Sequence, residues 1–355
     1  MLLLTPTRPQ GQSVQLGFKY VTHRPNQPRQ ARILATLKKH FSVDVPRSII
    51  SPTTSVVKAD FKNLLRMSSL GFMADMARSK SIVDNFAAMF YPMLNRSSYL
   101  MEYGGVIPLE ATLFGNRFLA KYTAARESVV VRNAKGIICI NQPMHDRCVM
   151  LGANDILTLP NYPSRSFSAS CNQLEWRTSQ GIELDTRVAL FVGNERLREI
   201  YGIDLLFQAW KRVCESSKNV LLVVICKMYP WLLGLAKSVG IDGKVLFVDF
   251  CDRTTLANWI NASDVCIAPR TPSFPSAYYN DQDSTKISEY AAFSKRIVAN
   301  NYLPSSQYHL VNADPESMAE GIMKGFEQNF SPAIPHHWED LEVRLVKFVM
   351  DRLGD

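Results

Sequence analysis

The 355-residue sequence lacks the features that mark membrane-spanning or secreted proteins. Its longest apolar runs, such as Asn219 to Cys226, are strand-sized and far shorter than the roughly 20 residues that a membrane-spanning helix needs. Residues 1–4 lack the basic segment and the full apolar core of a signal peptide. We therefore expect a cytoplasmic protein.

The cysteine pattern argues against disulfide frameworks and common zinc sites. The seven cysteines form an odd set without a Cys-x-x-Cys spacing, and several stand inside apolar runs. Reduced, buried thiols are the prediction. His336 and His337 are adjacent but have no cysteine nearby, so no metal is expected.

Low-complexity tracts and repeats of fixed period are also missing. A hydrophobic content of 46%, with 5 Trp and 18 Phe, indicates a globular protein. A chain of this length can form about two domains and a cleft between them.

Acidic residues are scarce in the first half of the chain. Residues 1–165 carry 21 Lys and Arg against 9 Asp and Glu, whereas residues 166–355 carry 19 against 23. Such asymmetry favours an anionic partner for the first half, such as an acidic membrane surface or a phosphorylated acceptor, although a generic basic surface fits equally. Nucleic acid is not an expected partner because no compact Lys/Arg stripe in a recognisable module is visible.

The second half alternates strand-length apolar runs with amphipathic helical patterns, which indicates a parallel, doubly wound α/β sheet. The predicted strands are 187–192, 220–226, 244–248, 264–268, 296–299 and 308–311, and the predicted helices are 202–215, 231–240, 253–262, 285–293 and 315–326.

The first half shows the same alternation with weaker boundaries. Predicted strands are 15–21, 99–103, 136–140 and 156–160, and predicted helices are 28–40, 109–133 and 143–151. Residues 59–94 have a helix-like pattern, read either as an acceptor or membrane face or, preferentially, as core-facing helices. Residues 161–185 are rich in serine and lack periodicity, which predicts an interdomain linker.

Residues 284–299 are the most informative segment. Ser284 is an N-cap type residue, and Lys286 and Glu289 follow one helical turn apart near the start of the helix, where phosphate is favoured. An ordinary surface ion pair is the alternative interpretation. Because ligands bind beyond the carboxyl ends of parallel strands, where Lys227 and Arg270 also stand, the functional interpretation is favoured.

Five short motifs, four of them in the second half and one at the end of the first, resemble GT-B glycosyltransferases, especially those of family 4. They are Val192-Gly193 with G-I-D-L-L-F-Q-A at 202–209, D-V-C-I-A-P at 264–269, K-I-S-E-Y-A-A at 286–292, L-P-N at 159–161, and P-H-H-W at 335–338 before a terminal helix. The resemblance covers 130–355 well and 1–130 poorly.

This resemblance implies two Rossmann-like, doubly wound domains facing a central cleft, at 1–165 and 166–330, and a crossover helix at 331–355 that returns to the first domain. Glu289 is implied to bind the nucleotide ribose, and the helix start near Lys286 to face the diphosphate or the sugar. Lys286, Glu289 and Asp281 are the catalytic candidates. The residues expected around the donor are Gly193, Asn194, Arg196, Arg198, Lys227, Arg270, Ser284, Thr285, Lys286 and Glu289.

The chain departs from the family pattern at several positions. Asn194 and Tyr201 stand where the family has basic residues, so Arg196 and Arg198 are the expected substitutes, with Lys227 in reserve. Asp281 stands where the family has the first of two glutamates.

No glycine-rich loop follows the first strand. His23 and Arg24 stand there instead, and they either face the acceptor or belong to an ordinary loop.

The expected reaction is transfer from a nucleotide-diphospho-sugar, of the UDP or GDP type, to a hydroxyl of a glycan, lipid-linked or polysaccharide acceptor. The resemblance implies retention of configuration without a metal. If the reaction inverts, Glu102 or Glu110 is a candidate base. Two alternatives stay open: a GT-B nucleotide-sugar epimerase, and a non-catalytic protein that binds anionic surfaces. The basic first half also predicts peripheral association with the inner face of a membrane.

Overall fold

The computed structural model describes residues 17–21, 28–44, 80–90, 99–113, 115–193, 198 and 200–354. Within this part, the chain forms two six-stranded sheets in which every strand pair is parallel. The α/β fold class with two Rossmann-like halves is therefore confirmed.

The first sheet has the order β2-β1-β3-β4-β5-β6. Its strands are β1 (Gly17–Val21), β2 (Ser42–Asp44), β3 (Ser81–Asp84), β4 (Tyr99–Tyr103), β5 (Gly136–Cys139) and β6 (Ile156–Thr158). Its helices are α1 (Pro28–His40), α2 (Asn85–Phe90), α3 (Ile107–Leu113), α4 (Arg117–Asn133) and α5 (Gln142–Met150).

The second sheet has the order β12-β11-β10-β7-β8-β9. Its strands are β7 (Arg187–Val192), β8 (Val220–Ile225), β9 (Val245–Val248), β10 (Val265–Ala268), β11 (Arg296–Asn300) and β12 (His309–Val311). Its helices are α6 (Gln173–Ser179), α7 (Ile203–Ser216), α8 (Pro230–Val239), α9 (Arg253–Ala262), α10 (Thr285–Ala291) and α11 (Pro315–Phe326).

In the second sheet, β8 and β9 follow β7 on one side, whereas β10, β11 and β12 lie on the other side. The strand order therefore reverses between β7 and β10, and this switch point positions the site. Loops that leave two adjacent strands at such a switch point diverge to opposite faces and leave a crevice beyond the strand ends. Helices cover both faces, so the central strands are buried on both sides, as β10 is along its whole length.

The last helix, α12 (Glu339–Leu353), packs on the first half of the chain. Leu345 and Val349 are fully buried in a cluster that includes Ile33 and Leu37 of α1. Immediately before α12, the indole Nε1 of Trp338 donates to Thr36 Oγ1 at 2.9 Å. The predicted crossover helix is therefore present.

Two predictions for the first half are wrong. The helix-like interpretation of 59–94 is wrong at β3, a strand whose four residues are all buried between β1 and β4, although residues 85–90 of the same range do form the helix α2. Residues 59–79 and 91–94 lie outside the described residues. Four residues are too few to show a period, so the β-branched pair inside β3 was the only local signal.

The single helix expected over 109–133 is two helices, because Gly115 adopts a φ of 74° and ends the first one. Asn116 then caps α4 by accepting a hydrogen bond from the Leu119 N–H at 3.0 Å.

The predicted linker is only partly irregular, because α6 lies inside it. Asn172 and Glu175 form a reciprocal capping box at the start of α6. Trp176 packs edge-to-face on Trp259 of α9, with 5.6 Å between the ring centroids. Residues 173–179 therefore belong to the second half rather than to a connection.

All seven cysteines are free thiols, four of them buried and three partly exposed. Burial raises the pKa of Cys266 to about 12. Among the residues described, none of the helices combines the length and the apolar character needed to cross a bilayer.

Candidate donor site in the cleft

Helix α10 carries the predicted pair at the carboxyl edge of the second sheet. Lys286 is only 9% exposed and Glu289 only 5%. They do not pair with each other, because the carboxylate of Glu289 instead accepts from Arg253 at the start of α9. The interpretation as a surface ion pair is therefore wrong.

Among the described residues, the ammonium group of Lys286 has no hydrogen-bond acceptor. It lies 3.5 Å from the ring centroid of Tyr201 and 4.6 Å from that of Phe191. Burial, together with the nearby guanidinium of Arg270, lowers the pKa of Lys286 well below its usual value. A cation held against aromatic faces without an anion is favourably placed to gain from a negatively charged ligand.

A glycine follows Tyr201, whose ring contacts the ammonium group of Lys286. Gly202 has a φ of 55°, and a Cβ there would come within 3.4 Å of the Arg270 backbone. The absence of a side chain at Gly202 thus allows its backbone to lie close to the segment that follows β10.

Arg270 is the second cation, and it follows β10 at the switch point. Its Nη2 donates to Asp283 at 2.9 Å, whereas its Nε and Nη1 are buried without an acceptor. The rings of Tyr302 and Phe274 lie 3.6 and 4.3 Å from its Cζ. Asn300 binds both backbone polar groups of Arg270, which fixes the start of this loop.

Asp283, which sequence reasoning missed, is the carboxylate beside Arg270. Burial raises its pKa to about 6, although Arg270 acts in the opposite direction. Asp281, the predicted candidate, instead lines a small cavity with Tyr162, Ser288 and His336. Its placement does not bring it together with Lys286 and Glu289.

Glu289 is surrounded by cations. Burial raises its pKa, while Arg253, Arg32 and Lys286 all act to lower it. Arg32 reaches this position from α1, so both halves of the chain contribute charge. Three basic side chains therefore act on the single carboxylate of Glu289.

The other predicted donor residues are more dispersed. Gly193 directly follows β7, and its N–H donates to the Ile225 carbonyl at 2.9 Å. Ser284 and Thr285 precede Lys286, and the Ser284 hydroxyl lies 3.5 Å from that of Tyr302.

Two of the expected basic residues lie away from Lys286. Arg198 is exposed, pairs with Asp204 at 3.2 Å and stacks on Trp231. Lys227 is exposed above the ring of Tyr229. Asn194, Arg196, His23 and Arg24 lie outside the described residues.

The loop between β10 and α10 packs into the first half of the molecule. Phe274 and Tyr279 belong to the buried core cluster of that half. The Tyr279 hydroxyl donates to Glu110 at 2.8 Å, and Asn141 donates to the Tyr278 carbonyl at 2.9 Å. The loop that carries Arg270 is therefore also the contact between the two halves.

Asn161, from the predicted L-P-N motif, ties three elements together. Its Oδ1 accepts from Arg29 of α1 at 3.2 Å. Its Nδ2 and backbone N–H donate to the carbonyls of Asp283 and Gln282, each at 2.8 Å. The motif thus connects the linker to the donor-side loop.

Both candidate bases are already engaged. Glu102 accepts from Arg29 at 2.8 Å and from Gln30 at 3.3 Å, and Glu110 accepts from Tyr279. Within the described ranges, no three His, Cys, Asp or Glu side chains converge closely enough to hold a metal ion.

Two Rossmann-like halves, a cleft between them and a returning C-terminal helix are the architecture of GT-B glycosyltransferases. Comparison with known proteins confirms this resemblance. Residues 186–328 match the family described as Glycosyl transferases group 1.

A curated relative, an uncharacterized glycosyltransferase of Methanocaldococcus jannaschii, is 31% identical over 99 residues. The match covers 27% of this chain and 25% of the relative, so it spans about a quarter of the relative's length.

Two solved structures share the fold over nearly the whole chain. Sucrose-phosphate synthase from Thermosynechococcus elongatus has a TM-score of 0.71 at 14% identity, covering 95% of this chain and 99% of its own. A UDP-N-acetylglucosamine 2-epimerase described as putative, from Listeria monocytogenes, has a TM-score of 0.64 at 11% identity, covering 96% and 97%. The family match and these neighbours support the prediction of a glycosyltransferase-type enzyme.

Proposed function

We propose that this protein is a glycosyltransferase that moves a sugar from a nucleotide-diphospho-sugar to an acceptor hydroxyl. The observation that carries the proposal is the set of buried donors without acceptors at the switch point, Lys286 Nζ with Arg270 Nε and Nη1. Burial of unpaired cations is costly, and a diphosphate would supply the missing acceptors.

In this proposal, Lys286 and Arg270 bind the diphosphate, with Ser284 and Thr285 beside them, and Glu289 binds the ribose hydroxyls. A carboxylate can accept hydrogen bonds from two hydroxyls at once. Arg253 acts to lower the pKa of Glu289, against the burial that raises it. Each charge-assisted contact contributes about 1.5 to 3 kcal/mol.

We propose that the transfer is retaining and needs no metal. The bond from the sugar C1 to the diphosphate oxygen breaks, and the bond from C1 to the acceptor oxygen forms. The acceptor proton passes to the departing diphosphate oxygen, so a side-chain base is not compulsory. Lys286 and Arg270 stabilise the charge that develops on this leaving group. The engagement of Glu102 and Glu110 by other side chains supports this assignment.

We place the domain boundaries at 1–165, 166–330 and 331–355. Tyr162 packs with the core of the first half and Phe167 with that of the second, which supports a division between them. The acceptor would enter on the side of the first domain, as a glycan, lipid-linked or polysaccharide precursor.

Peripheral association with an anionic membrane is part of the proposal, consistent with a protein on the cytoplasmic face. Phe118 is 82% exposed on α4 and Tyr122 is 37% exposed, with the exposed Arg117 and Lys121 beside them. Aromatic rings beside basic side chains suit the surface of an acidic bilayer. Phe118→Ser with Lys121→Glu should reduce flotation with phosphatidylserine vesicles, and unchanged flotation would remove this face from consideration.

A nucleotide-sugar epimerase is the second candidate, favoured by the likeness to the Listeria monocytogenes protein. The two activities separate by product analysis. Epimerisation requires no acceptor and leaves the nucleotide attached to the sugar, whereas transfer releases the nucleoside diphosphate.

The main test is a calorimetric titration with UDP, GDP and a panel of their sugars. We expect one nucleotide to bind, and Lys286→Ala or Glu289→Ala to weaken its binding by roughly 10- to 150-fold and to reduce transfer. Lys237→Ala, an exposed lysine on α8, is the matched control. The proposal fails if no nucleotide binds, or if both site variants transfer sugar as well as the wild type does.

A further inference from the structure

A second cavity of about 320 Å³ lies between the two halves of the molecule. Its walls come from α1, from the linker and from the start of α9. It is lined by Arg32, Ser164, Ser166, Phe167, Ser168, Arg253 and Thr254. None of these lining residues is acidic, so the cavity is rich in hydrogen-bond donors.

Arg32 is the unusual residue of this cavity. Two of its guanidinium nitrogens, Nε and Nη2, are shielded from solvent and find no acceptor in the part of the chain that the structure describes. Burial, with Arg29 as a second cause, lowers its pKa to about 10. Trp338, whose ring centroid lies 5.7 Å from the guanidinium carbon, forms part of its surroundings. A guanidinium in this situation lacks the anion that would offset its desolvation.

Arg253 adds a second positive charge on the opposite wall. Its guanidinium stacks 3.9 Å from the ring centroid of Phe167 and donates to Glu289 through Nη1. Two carboxylates, Glu289 and Glu339, act on Arg32, and Glu339 also accepts from the Ser164 hydroxyl at the cavity wall. The case for a bound anion therefore rests on the nitrogens of Arg32 that have no acceptor among the described residues. Ser166 and Ser168 supply hydroxyl groups in the same cavity.

The cavity and the proposed diphosphate site differ in the charged groups that shift the pKa values of their basic residues. The charges that shift the pKa of Lys286 are those of Arg270 and Glu289. The pKa of Arg32 is shifted instead by Arg29, Glu289 and Arg253 among others. Glu289 is common to both sets, so it stands between the two pairs of cations.

We infer that the cavity between Arg32 and Arg253 is a second anion site, which binds a phosphate group carried by the acceptor. The chemistry fits because guanidinium groups present planar arrays of N–H donors to phosphate oxygens, and serine hydroxyls add further donors. Arg32 lies on the first half, where the acceptor enters, so the bound phosphate would be held by both halves at once. The assignment of the phosphate to the acceptor rests on the proposed glycosyl transfer, whereas the anion site itself does not.

Inorganic phosphate is the probe for the site itself. It is titrated into protein saturated with the nucleotide that binds best, or into free protein if none binds. We expect Arg32→Gln to weaken phosphate binding by about tenfold or more, Arg32→Lys to restore part of it, and Lys38→Gln, an exposed position on the same helix, to change nothing. Unchanged phosphate affinity in Arg32→Gln would overturn the inference.

Thermal unfolding tests whether a loss of phosphate binding in Arg32→Gln is caused by a folding defect. In the absence of phosphate, Arg32→Gln should unfold no earlier than the wild type, because it removes an unpaired buried charge. Added phosphate should raise the unfolding temperature of the wild type but not that of Arg32→Gln. An equal rise in both proteins would contradict the site.

Two further outcomes separate this inference from the proposed function. If phosphate instead displaces the nucleotide, and Arg32→Gln weakens nucleotide binding equally, Arg32 belongs to the donor site and the inference is wrong. If no nucleotide binds but phosphate still depends on Arg32, the anion site stands and the glycosyltransferase proposal falls.

The source of the phosphate is tested with phosphorylated acceptors and their dephosphorylated counterparts. We expect the wild type to prefer the phosphorylated form by about tenfold in kcat/KM and Arg32→Gln to lose this preference. Equal use of the two forms by the wild type would overturn the acceptor assignment and leave free phosphate as the ligand.

Discussion

Buried charges are treated in opposite ways on the two sides of the cleft. On the donor side, Lys286 and Arg270 carry buried nitrogens without acceptors. In the first half, the buried carboxylates of Glu102 and Glu127 are bound by arginines, and Glu110 is bound by a tyrosine. A buried charge with partners supports the fold, whereas one without partners is available to a ligand.

The first half contains both kinds of buried charge, those with hydrogen-bond partners and those without. Arg29 is tied to Glu102 and Asn161 and leaves only Nη2 without an acceptor among the described residues, whereas Arg32, one helical turn later, leaves both Nε and Nη2 without one. The number of nitrogens without acceptors therefore rises along α1 within the first half itself.

The largest expected effect is the loss of stability in Glu127→Ala. Glu127 accepts from the Tyr103 hydroxyl and from Arg147, and burial together with Glu127 raises the pKa of Tyr103 well above its usual value. Removal of the carboxylate leaves the Tyr103 hydroxyl proton and Nη2 of Arg147 without this acceptor, although Arg147 still contacts the Tyr103 and Tyr278 hydroxyls. We expect a loss of about 3 to 5 kcal/mol in the free energy of unfolding. Urea denaturation measures it, with the exposed Glu320→Ala as the control. A loss comparable to the control would break the comparison.

Lys286→Met should show the reverse pattern, in which function is lost but stability is kept. Without its ammonium group, the proposed donor loses a charge-assisted contact of about 1.5 to 3 kcal/mol, or roughly 10- to 150-fold in affinity. The same change removes an unpaired buried cation, so the unfolding temperature should stay constant or rise. Calorimetry and thermal unfolding on one sample give both values. Clear destabilisation would show that Lys286 supports the fold.

Many strands and helices of the second half could be predicted from the sequence for a physical reason. Its strands are continuous apolar runs separated by amphipathic helices, and such local patterns survive without knowledge of distant contacts. At β3, four residues between polar neighbours gave no such pattern, and the assignment failed. The α3–α4 break depended on one glycine whose positive φ becomes visible only in the structure.

The candidate site could be predicted from the sequence to a similar extent. Lys286, Glu289 and Arg270 stand at strand and helix ends that can be read locally, and the structure brings them together. Arg32 and Arg253 were missed because they approach Glu289 from different halves of the molecule. Asp283 was missed because a two-residue difference from Asp281 decides which carboxylate turns toward Arg270, and that depends on how the loop packs.

The third expected effect is a fall in donor affinity as the pH rises. In the free protein the pKa of Lys286 lies well below its usual value, because burial disfavours the charged form. A bound diphosphate favours the protonated form and raises this pKa again, so binding above the free-protein pKa requires proton uptake. Affinity should then fall by up to about tenfold per pH unit. A nucleotide-sugar is the appropriate ligand because its diphosphate diester does not titrate near neutral pH.

Calorimetry in buffers of different ionisation enthalpy measures the proton uptake directly. Lys286→Met, if it retains measurable affinity, should show neither uptake nor this pH dependence. An equally steep dependence in that variant would assign the titration to another group.

The smallest effect concerns Tyr279, where the two halves meet. Its hydroxyl is the donor to Glu110, while its ring contributes to the surroundings of Arg270, with 5.2 Å between Cζ and the ring centroid. Tyr279→Phe keeps the ring and leaves the Glu110 carboxylate without this donor, so we expect a loss of about 1 to 3 kcal/mol in the free energy of unfolding. Donor affinity should change little, because the unpaired nitrogens of Lys286 and Arg270 are untouched. Tyr122→Phe removes a longer hydrogen bond, from the tyrosine hydroxyl to the Met89 carbonyl at 3.3 Å, at a more exposed position, and should therefore cost less. If Tyr279→Phe instead weakens donor binding without affecting stability, the contact between the halves would be part of the donor site, and the contrast between partnered and unpartnered charges would not separate fold from function.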